Sequence, residues 1–504
     1  MTVVYLKVLM QKEFHVMSRR RLLLLLVCAL GVCCGAETVR FCVFSDTQPG
    51  APGGWKRQGQ PYWYVDKAYE MGLNAQADAF LICGDISSHS NPAVYDEFRA
   101  IWDARTAQLE NKPAWLPIMG NHDYWEEVWN KKKKLSDDPY GRRPETKAER
   151  IEIFRSHLKL GTVNPHVVIK GIDVIGISLH DGMSANQEDL AFVEDALRKA
   201  VARDATKPII VFAHNNVKNT VYGSQYGSPS LQQTFEKYPQ VIFFSGHTHF
   251  PLEDERGIHQ REFTSVNTST LNYTYLEEPS VEYPGRHLGK NMLLVSIDDN
   301  QVVIRRFQLR DGSEILDDGK PWTLPLPLTR ENFVYEPTRR AAAKPAPVAP
   351  TFPANATLKA EPVLNQAGEF TGVRLTGTAA THPKFVHSYF VDVFRRTADG
   401  QWEPQPELQR YQRKTNTYGP VRERLLVFSD FYAGLAFMKP EFSTVIPVYA
   451  RRDNGRWQGF DFQPNATYRF EIRARESYGT LSPTALTAEL TMPEKRVANP
   501  LARN

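Results

Sequence analysis

Between Thr38 and about Leu309, short apolar runs alternate with longer stretches of helical period, and that rhythm admits few folds. The runs are Val39–Ser45, Ala79–Cys83, Trp115–Met119, Asp173–Leu179, Pro208–Ala213 and Val241–Ser245. Between them lie the amphipathic stretches Tyr64–Asn74, Ala93–Leu109, Arg150–Leu158 and Asn186–Arg203. An unbroken apolar run suits a strand covered on both faces, and a helix-length connection suits parallel neighbours. The segment therefore predicts an α/β domain with buried, mainly parallel strands. Asn291–Ile297 and Val302–Leu309, flanking Asp298-Asp299-Asn300, predict a hairpin, and residues 310–335 are expected to wrap back on this domain.

Five of the runs end alike. Val39–Ser45 ends in Asp46-Thr47-Gln48, Ala79–Cys83 in Gly84-Asp85, and Trp115–Met119 in Gly120-Asn121-His122-Asp123. Pro208–Ala213 ends in His214, and Val241–Ser245 in Gly246-His247-Thr248-His249. Taken singly, each reads as a cap, a turn or a satisfied polar residue. In open α/β sheets, however, ligands bind beyond the carboxyl ends of the strands, so these scattered termini can converge. Carboxylates, amide carbonyls and imidazoles without thiolates form a mixed oxygen/nitrogen donor set suited to Mn, Fe or Zn. The set is too large for one tetrahedral zinc and large enough for two ions sharing a carboxylate.

The ordered series Asp-x-Gln, Gly-Asp, Gly-Asn-His-Asp, His, Gly-His-Thr-His resembles the calcineurin-like metallophosphoesterase superfamily over about residues 38–310. The resemblance implies a four-layer α-β-β-α sandwich and two divalent transition-metal ions. It places Asp46, Gln48 and His249 on the first metal, Asn121, His214 and His247 on the second, and Asp85 between them. His122 would then stabilise phosphoryl oxygens or protonate the leaving oxygen, with Asp123 orienting its ring. The implied activity is hydrolysis of a phosphomonoester or phosphodiester by attack of a metal-bridging hydroxide. One position departs from the commonest pattern: Gln48 stands where the superfamily usually has histidine, a neutral and harder donor expected to shift metal preference.

Further candidates for lining the substrate pocket follow run ends: His89, Tyr124, Trp125, His180, Asp181 and Asn215. Lys131–Lys134 reads as a solvated face or a steering patch for an anionic ester, and Trp55–Tyr64 as core and loop packing.

Arg19-Arg20-Arg21 followed by Leu22–Leu30 reads as a signal peptide over residues 1–36, with Met17 the expected start. The run is too short for a comfortable membrane span. Export to the periplasm, cell envelope or medium is therefore expected, with no membrane span after signal removal. Cys42 and Cys83, the two cysteines outside the signal, read as buried thiols. A net charge of +4 over 504 residues carries no signal for nucleic-acid or membrane-surface binding.

This length calls for more than one domain. The catalytic domain is expected over residues 37–335, a Pro/Ala linker over 336–352 and an all-β sandwich over 353–504. In Thr467–Arg475, Tyr468, Phe470, Ile472 and Ala474 alternate with Arg469, Glu471, Arg473 and Arg475, a half-solvated strand. The ending 468–483 resembles the closing strands of fibronectin type III domains. Aromatics there, among them Trp402, Tyr411, Tyr418, Phe428, Phe431 and Tyr432, are expected in the core, over the catalytic domain, or at a carbohydrate or protein contact. The alternative is an exported binding or adhesion protein that uses this sandwich and carries a degenerate catalytic domain.

Overall fold

The apolar runs form strands because each supplies side chains to two cores at once. The computed structural model describes residues 37–49, 63–124, 146–274, 290–316, 319–339, 348–405, 408–412, 417–421, 425–448, 450–451 and 457–497. Its first strands are β1 (Val39–Phe44), β2 (Ala79–Ile82), β3 (Ala114–Pro117), β4 (His166–Ile169), β5 (Ile172–Ile177), β6 (Ile209–Ala213) and β7 (Val241–Ser245). Then come β8 (Ile258–Gln260), β9 (Thr264–Asn267), β10 (Asn291–Ile297), β11 (Gln301–Gln308), β12 (Glu314–Ile315) and β13 (Trp322–Pro325). They build two sheets, ordered β12-β11-β10-β1-β2-β3, with β13 also on β11, and β4-β5-β6-β7-β9-β8. Strands β1, β2 and β3 run parallel, as do β5, β6, β7 and β9. The expected hairpin is β10–β11, and residues 310–335 return to it through β12 and β13.

The helices are α1 (Trp63–Asn74), α2 (Pro92–Thr106), the single turn α3 (Asn121–Tyr124), α4 (Lys147–His157), α5 (Gln187–Arg203) and α6 (Pro229–Phe235). Their starts follow local chemistry. Asn91 caps α2 ahead of Pro92, and Thr146 with Glu149 and Asn186 with Asp189 form reciprocal capping boxes on α4 and α5.

Alternation along the strands sorts side chains into layers. Phe41 and Val43 of β1 join Phe212 of β6 and Phe244 of β7 in one core between the sheets. Cys42 and Phe44 point the other way, into a core with Tyr69 of α1 and Phe98 and Trp102 of α2. Val211 and Phe243 leave the second sheet toward Val193 and Leu197 of α5. The order is helix, sheet, sheet, helix, as expected. Each fully buried Phe or Val contributes about 1.5–3 kcal/mol relative to exposure, so these cores hold the strand ends in place. Cys42 and Cys83 are buried free thiols.

The C-terminal region is mostly strands. Leu358–Leu364, Phe370–Thr378 and Glu441–Pro447 make one sheet; Ser388–Arg396 anchors a second with Thr467–Arg475, Leu486–Thr491, Leu425–Phe428 and Trp402–Pro404. Val373, Leu375, Tyr389, Val391, Phe470 and Ile472 share one buried cluster between them. The alternation read in Thr467–Arg475 holds, with Tyr468, Phe470, Ile472 and Ala474 buried. This region packs against the N-terminal α/β region within one unit, Val39–Asn504: Leu426, Phe428 and Tyr432 close over Phe250.

No helix among the described residues is long and apolar enough to cross a membrane. The signal segment, Trp125, Lys131–Lys134, Trp55 and the heart of the Pro/Ala linker lie outside the described residues.

Candidate metal centre

The five marked termini meet. Asp46, Asp85 and Asn121 follow the carboxyl ends of β1, β2 and β3, while His214 and the pair His247 and His249 follow β6 and β7 in the facing sheet. Because both sheets run parallel here, all these ends open on one side. Asp46, Gln48, Asp85, Asn121, His214 and His249 are buried, and His247 is partly buried. Among the described residues, Asp46, Asp85 and His249 place ligand atoms within 4.8 Å of one another. His249 Nε2 lies 2.8 Å from Asp46 Oδ1, His214 Nε2 3.1 Å from Asp85 Oδ2, and the His214 and His247 rings 5.1 Å apart.

The backbone is bent to achieve this. Asp46 (φ 53°), Asp85 (φ 55°), His247 (φ 67°) and His249 (φ 55°) all occupy the left-handed region. Such conformations cost on the order of 1–3 kcal/mol each in a non-glycine residue and persist only where the surroundings over-determine them. Four in one pocket point to a site. Gly120 is required for a different reason: a Cβ there would collide with the Asp85 carboxylate and the His214 ring.

Hydrogen bonds fix the imidazole tautomers. His214 Nδ1 lies 2.9 Å from the Cys83 carbonyl and His249 Nδ1 2.7 Å from that of Tyr273. A carbonyl only accepts, so each Nδ1 carries the proton, and in the neutral ring Nε2 turns a lone pair toward the carboxylates. Backbone amides hold the other carboxylate atoms: His122 N donates to Asp85 Oδ1 at 2.9 Å and His247 N to Asp46 Oδ2 at 3.0 Å. Asn272 Nδ2 donates to the Gln48 carbonyl at 2.6 Å and fixes that loop.

What remains is a set of buried polar atoms at the strand ends, three of them oxygens that only accept. Asp46 Oδ1, Gln48 Oε1, Asn121 Oδ1 and His214 Nε2 are buried without a hydrogen-bond partner. Leaving buried acceptors unmatched costs about 1–3 kcal/mol each, and cations can satisfy several at once. Positive charge is what the pocket lacks. Burial disfavours the ionised Asp46 and Asp85, yet the surrounding imidazoles hold both carboxyls below the usual range. Burial likewise opposes the His214 cation, but Asp85 and Asp46 outweigh it and raise its pKa to about 9. His247, pressed by burial and by the neighbouring His214 charge, falls to about 4. By donor chemistry, burial and orphaned atoms, these residues fit divalent metal.

The structure corrects one expected role. Asp123 does not orient His122. Its carboxylate accepts from Gly120 N (2.9 Å), Ser87 N (3.0 Å), Ile86 N (3.3 Å) and Tyr95 Oη (2.9 Å). It thereby ties the Asp85 loop to the Asn121 loop. Burial, then the Asp85 charge, raise its pKa to about 7. The His122 ring instead places Nδ1 3.2 Å from the Ser88 carbonyl, leaving Nε2 3.9 Å from Asp85 Oδ2. Ser88, Cys83 and Tyr273 thus orient imidazoles through main-chain atoms, and no side-chain pattern announces them.

The pocket-lining candidates separate. Asn215 is buried, donating to the Met183 carbonyl at 2.7 Å, and Tyr124 is buried with its hydroxyl 3.5 Å from the Ser178 carbonyl. His89, His180 and Asp181 are exposed, with His180 Nδ1 2.6 Å from Lys147 Nζ.

No curated protein matches the chain. A dimetal phosphatase from Danio rerio aligns at 12% identity and a TM-score of 0.34, over 58% of this chain and 99% of its own. The purple acid phosphatase PPD1 of yellow lupin aligns at 14% and 0.35, over 57% of this chain and 54% of its own. A phosphatase from Mycoplasma pneumoniae aligns at 12% and 0.27, over 61% of this chain and 97% of its own. The family model for calcineurin-like phosphoesterase matches residues 39–251, the span that carries every strand end described above. Residues 39–251 are a calcineurin-like phosphoesterase domain.

Proposed function

We propose that this chain is an exported, binuclear metal-dependent phosphoesterase acting on a phosphomonoester or phosphodiester. The observation that carries the reading is the convergence of unpartnered buried acceptors from Asp46, Gln48, Asn121 and His214 at the strand ends of two sheets. Asp46, Gln48 and His249 would hold one ion, Asn121, His214 and His247 the other, and Asp85 would serve both. Bound there, Mn, Fe or Zn ions would polarise a phosphoryl oxygen and lower the pKa of water.

The chain's own residues do the rest. Asp85 and Asp46 supply negative charge, fixed by the amides of His122 and His247. Main-chain carbonyls hold His214 and His249 with Nε2 inward. His122 is only partly buried, and the Ser88 carbonyl keeps its Nδ1 occupied. Its Nε2 is therefore the ring atom turned toward the pocket, and as the imidazolium it would donate to a phosphoryl oxygen or to the departing oxygen. Export rests on the basic cluster and leucine run of residues 19–30. The adhesion alternative would use aromatics of the C-terminal region, but Phe428 and Tyr432 are buried against Phe250.

Metal analysis of the purified protein should find two transition-metal ions per chain. Metal-dependent hydrolysis of p-nitrophenyl phosphate or its bis ester should accompany them, and Asp85→Asn or His247→Ala should abolish it. A metal-loaded protein inactive on a broad panel of phosphate mono- and diesters would sink the reading.

A further inference from the structure

The chain from Gly246 to Gly257 carries two proposed ligands, His247 and His249, both in left-handed backbone, and meets side chains of the C-terminal region before it enters β8. From the catalytic side it is held by polar contacts. Asn267 Nδ2 donates to the Phe250 carbonyl at 2.9 Å, Asn291 Oδ1 accepts from Leu252 N at 3.0 Å, and Arg306 Nη1 donates to the Leu252 carbonyl at 2.8 Å. From the other side the C-terminal region closes on it. Phe250, directly after His249, packs with Leu426, Phe428 and Tyr432, and its ring sits 4.2 Å from that of Tyr222. Gly223 makes room, since a Cβ there would collide with the Phe250 ring.

Charge pairing fastens the end of the same segment. Arg256 grips Asp254 through Nε and Nη2 at 2.9 and 2.6 Å, lies 3.6 Å over the Tyr222 ring, and brings Nη2 to 3.4 Å from His387 Nε2. Lys384 reaches Glu255 at 3.2 Å. Lys384, His387, Leu426, Phe428 and Tyr432 all belong to the C-terminal region.

We infer that the C-terminal region positions the His249 ligand: Phe428 and Tyr432 clamp Phe250, and the clamp holds the strained backbone of His249 in its metal-binding conformation. This inference rests on the metal-centre reading and gives the C-terminal region a role at that centre. Phe250, Phe428 and Tyr432 are positioning residues that act through His249. Strain of this kind persists only where packing over-determines it. Partners behind a ligand typically change metal affinity about 10- to 100-fold when removed.

The test measures metal affinity of the full chain by chelator competition with Zn or Mn, resolving the tighter and weaker sites, alongside far-UV circular dichroism. Phe428→Ala and Phe250→Ala should weaken one site about 10- to 100-fold and leave the other within a factor of about two. His249→Ala should identify the affected site by weakening the same one. Phe250→Leu, which keeps apolar volume beside His249, should restore most of the affinity. Tyr432→Leu, which alters the same cluster from the 3-10 turn after Phe428, serves if either alanine variant does not fold. Folded variants with unchanged affinity, or with both sites weakened equally, would overturn the inference while leaving the metal centre standing. A parent protein that takes up no metal would overturn both.

Discussion

Two buried polar clusters in this molecule make opposite use of charge. At the seam with the C-terminal region, acids meet bases: Asp254 is gripped by Arg256, and Glu255 meets Lys384. At the strand ends, the Asp46 and Asp85 carboxylates meet the Nε2 atoms of His249 and His214, and four buried polar atoms nearby have no hydrogen-bond partner. The seam is internally neutralised, so it reads as structure. The strand-end pocket is left short of positive charge, so it reads as a place for cations. Burial alone does not distinguish the two; the arithmetic of donors and acceptors does.

The largest expected effect tests the unbalanced cluster. Asp85→Asn removes half of the pocket's carboxylate charge and should reduce hydrolysis by more than the roughly 100-fold attributed to outer partners of a metal ligand. Loss of bound metal should accompany it, and folding should survive because the cores lie elsewhere. Retained metal content and turnover would erase the distinction between the clusters.

The balanced cluster should fail differently. Arg256→Ala leaves Asp254 buried without its partner, and breaking such a pair costs about 3–5 kcal/mol. Urea denaturation should show that loss as a lower midpoint. A change below about 1 kcal/mol would mean that the pair behaves like an exposed one.

Glu253 provides a finer test beside the seam. Burial raises its pKa to about 7, and only Oε1 is hydrogen-bonded, to Asn291 and Gln308. A glutamate in the unfolded chain ionises near about 4.3. Between these values the folded state keeps a proton that the unfolded state has lost, so this group makes stability fall as pH rises through that window. Glu253→Gln should flatten the decline, read as urea midpoints at about pH 5 and about pH 8. An unchanged slope would assign the pH dependence to other groups.

The smallest effect is expected at Gln48. Gln48→His should retain activity and shift the preferred metal, since imidazole is a softer donor than an amide oxygen. Unchanged metal preference and content would remove Gln48 from the ligand set, although its Oε1 is among the unpartnered buried atoms.

Much of the N-terminal α/β region could be read before folding. Val241–Ser245 has the expected limits, and β1, β2 and β6 differ from theirs only by a residue at an end. The reason is local: an unbroken apolar run marks a strand buried on both faces, and a polar residue where it stops marks the edge of the core. The same logic picked out Asp46, Asp85, Asn121, His214, His247 and His249, whose side-chain chemistry is written in their identity. It failed for Asp123, whose neighbour in sequence is His122 but whose partners in space are Gly120, Ser87, Ile86 and Tyr95.

By itself, then, the sequence determined the alternation of strands and helices, the donor types at the strand ends and the β-rich character of the C-terminal region. Tertiary structure alone decided which main-chain carbonyls set the imidazole tautomers, because every residue carries a carbonyl and none is marked as an orienter. It also decided that Phe428 and Tyr432 lie against Phe250, a contact that joins residues far apart in the chain and depends on how two folded regions meet. Residue identity can encode what a side chain is able to bind. Only the fold encodes which atoms are left without a partner.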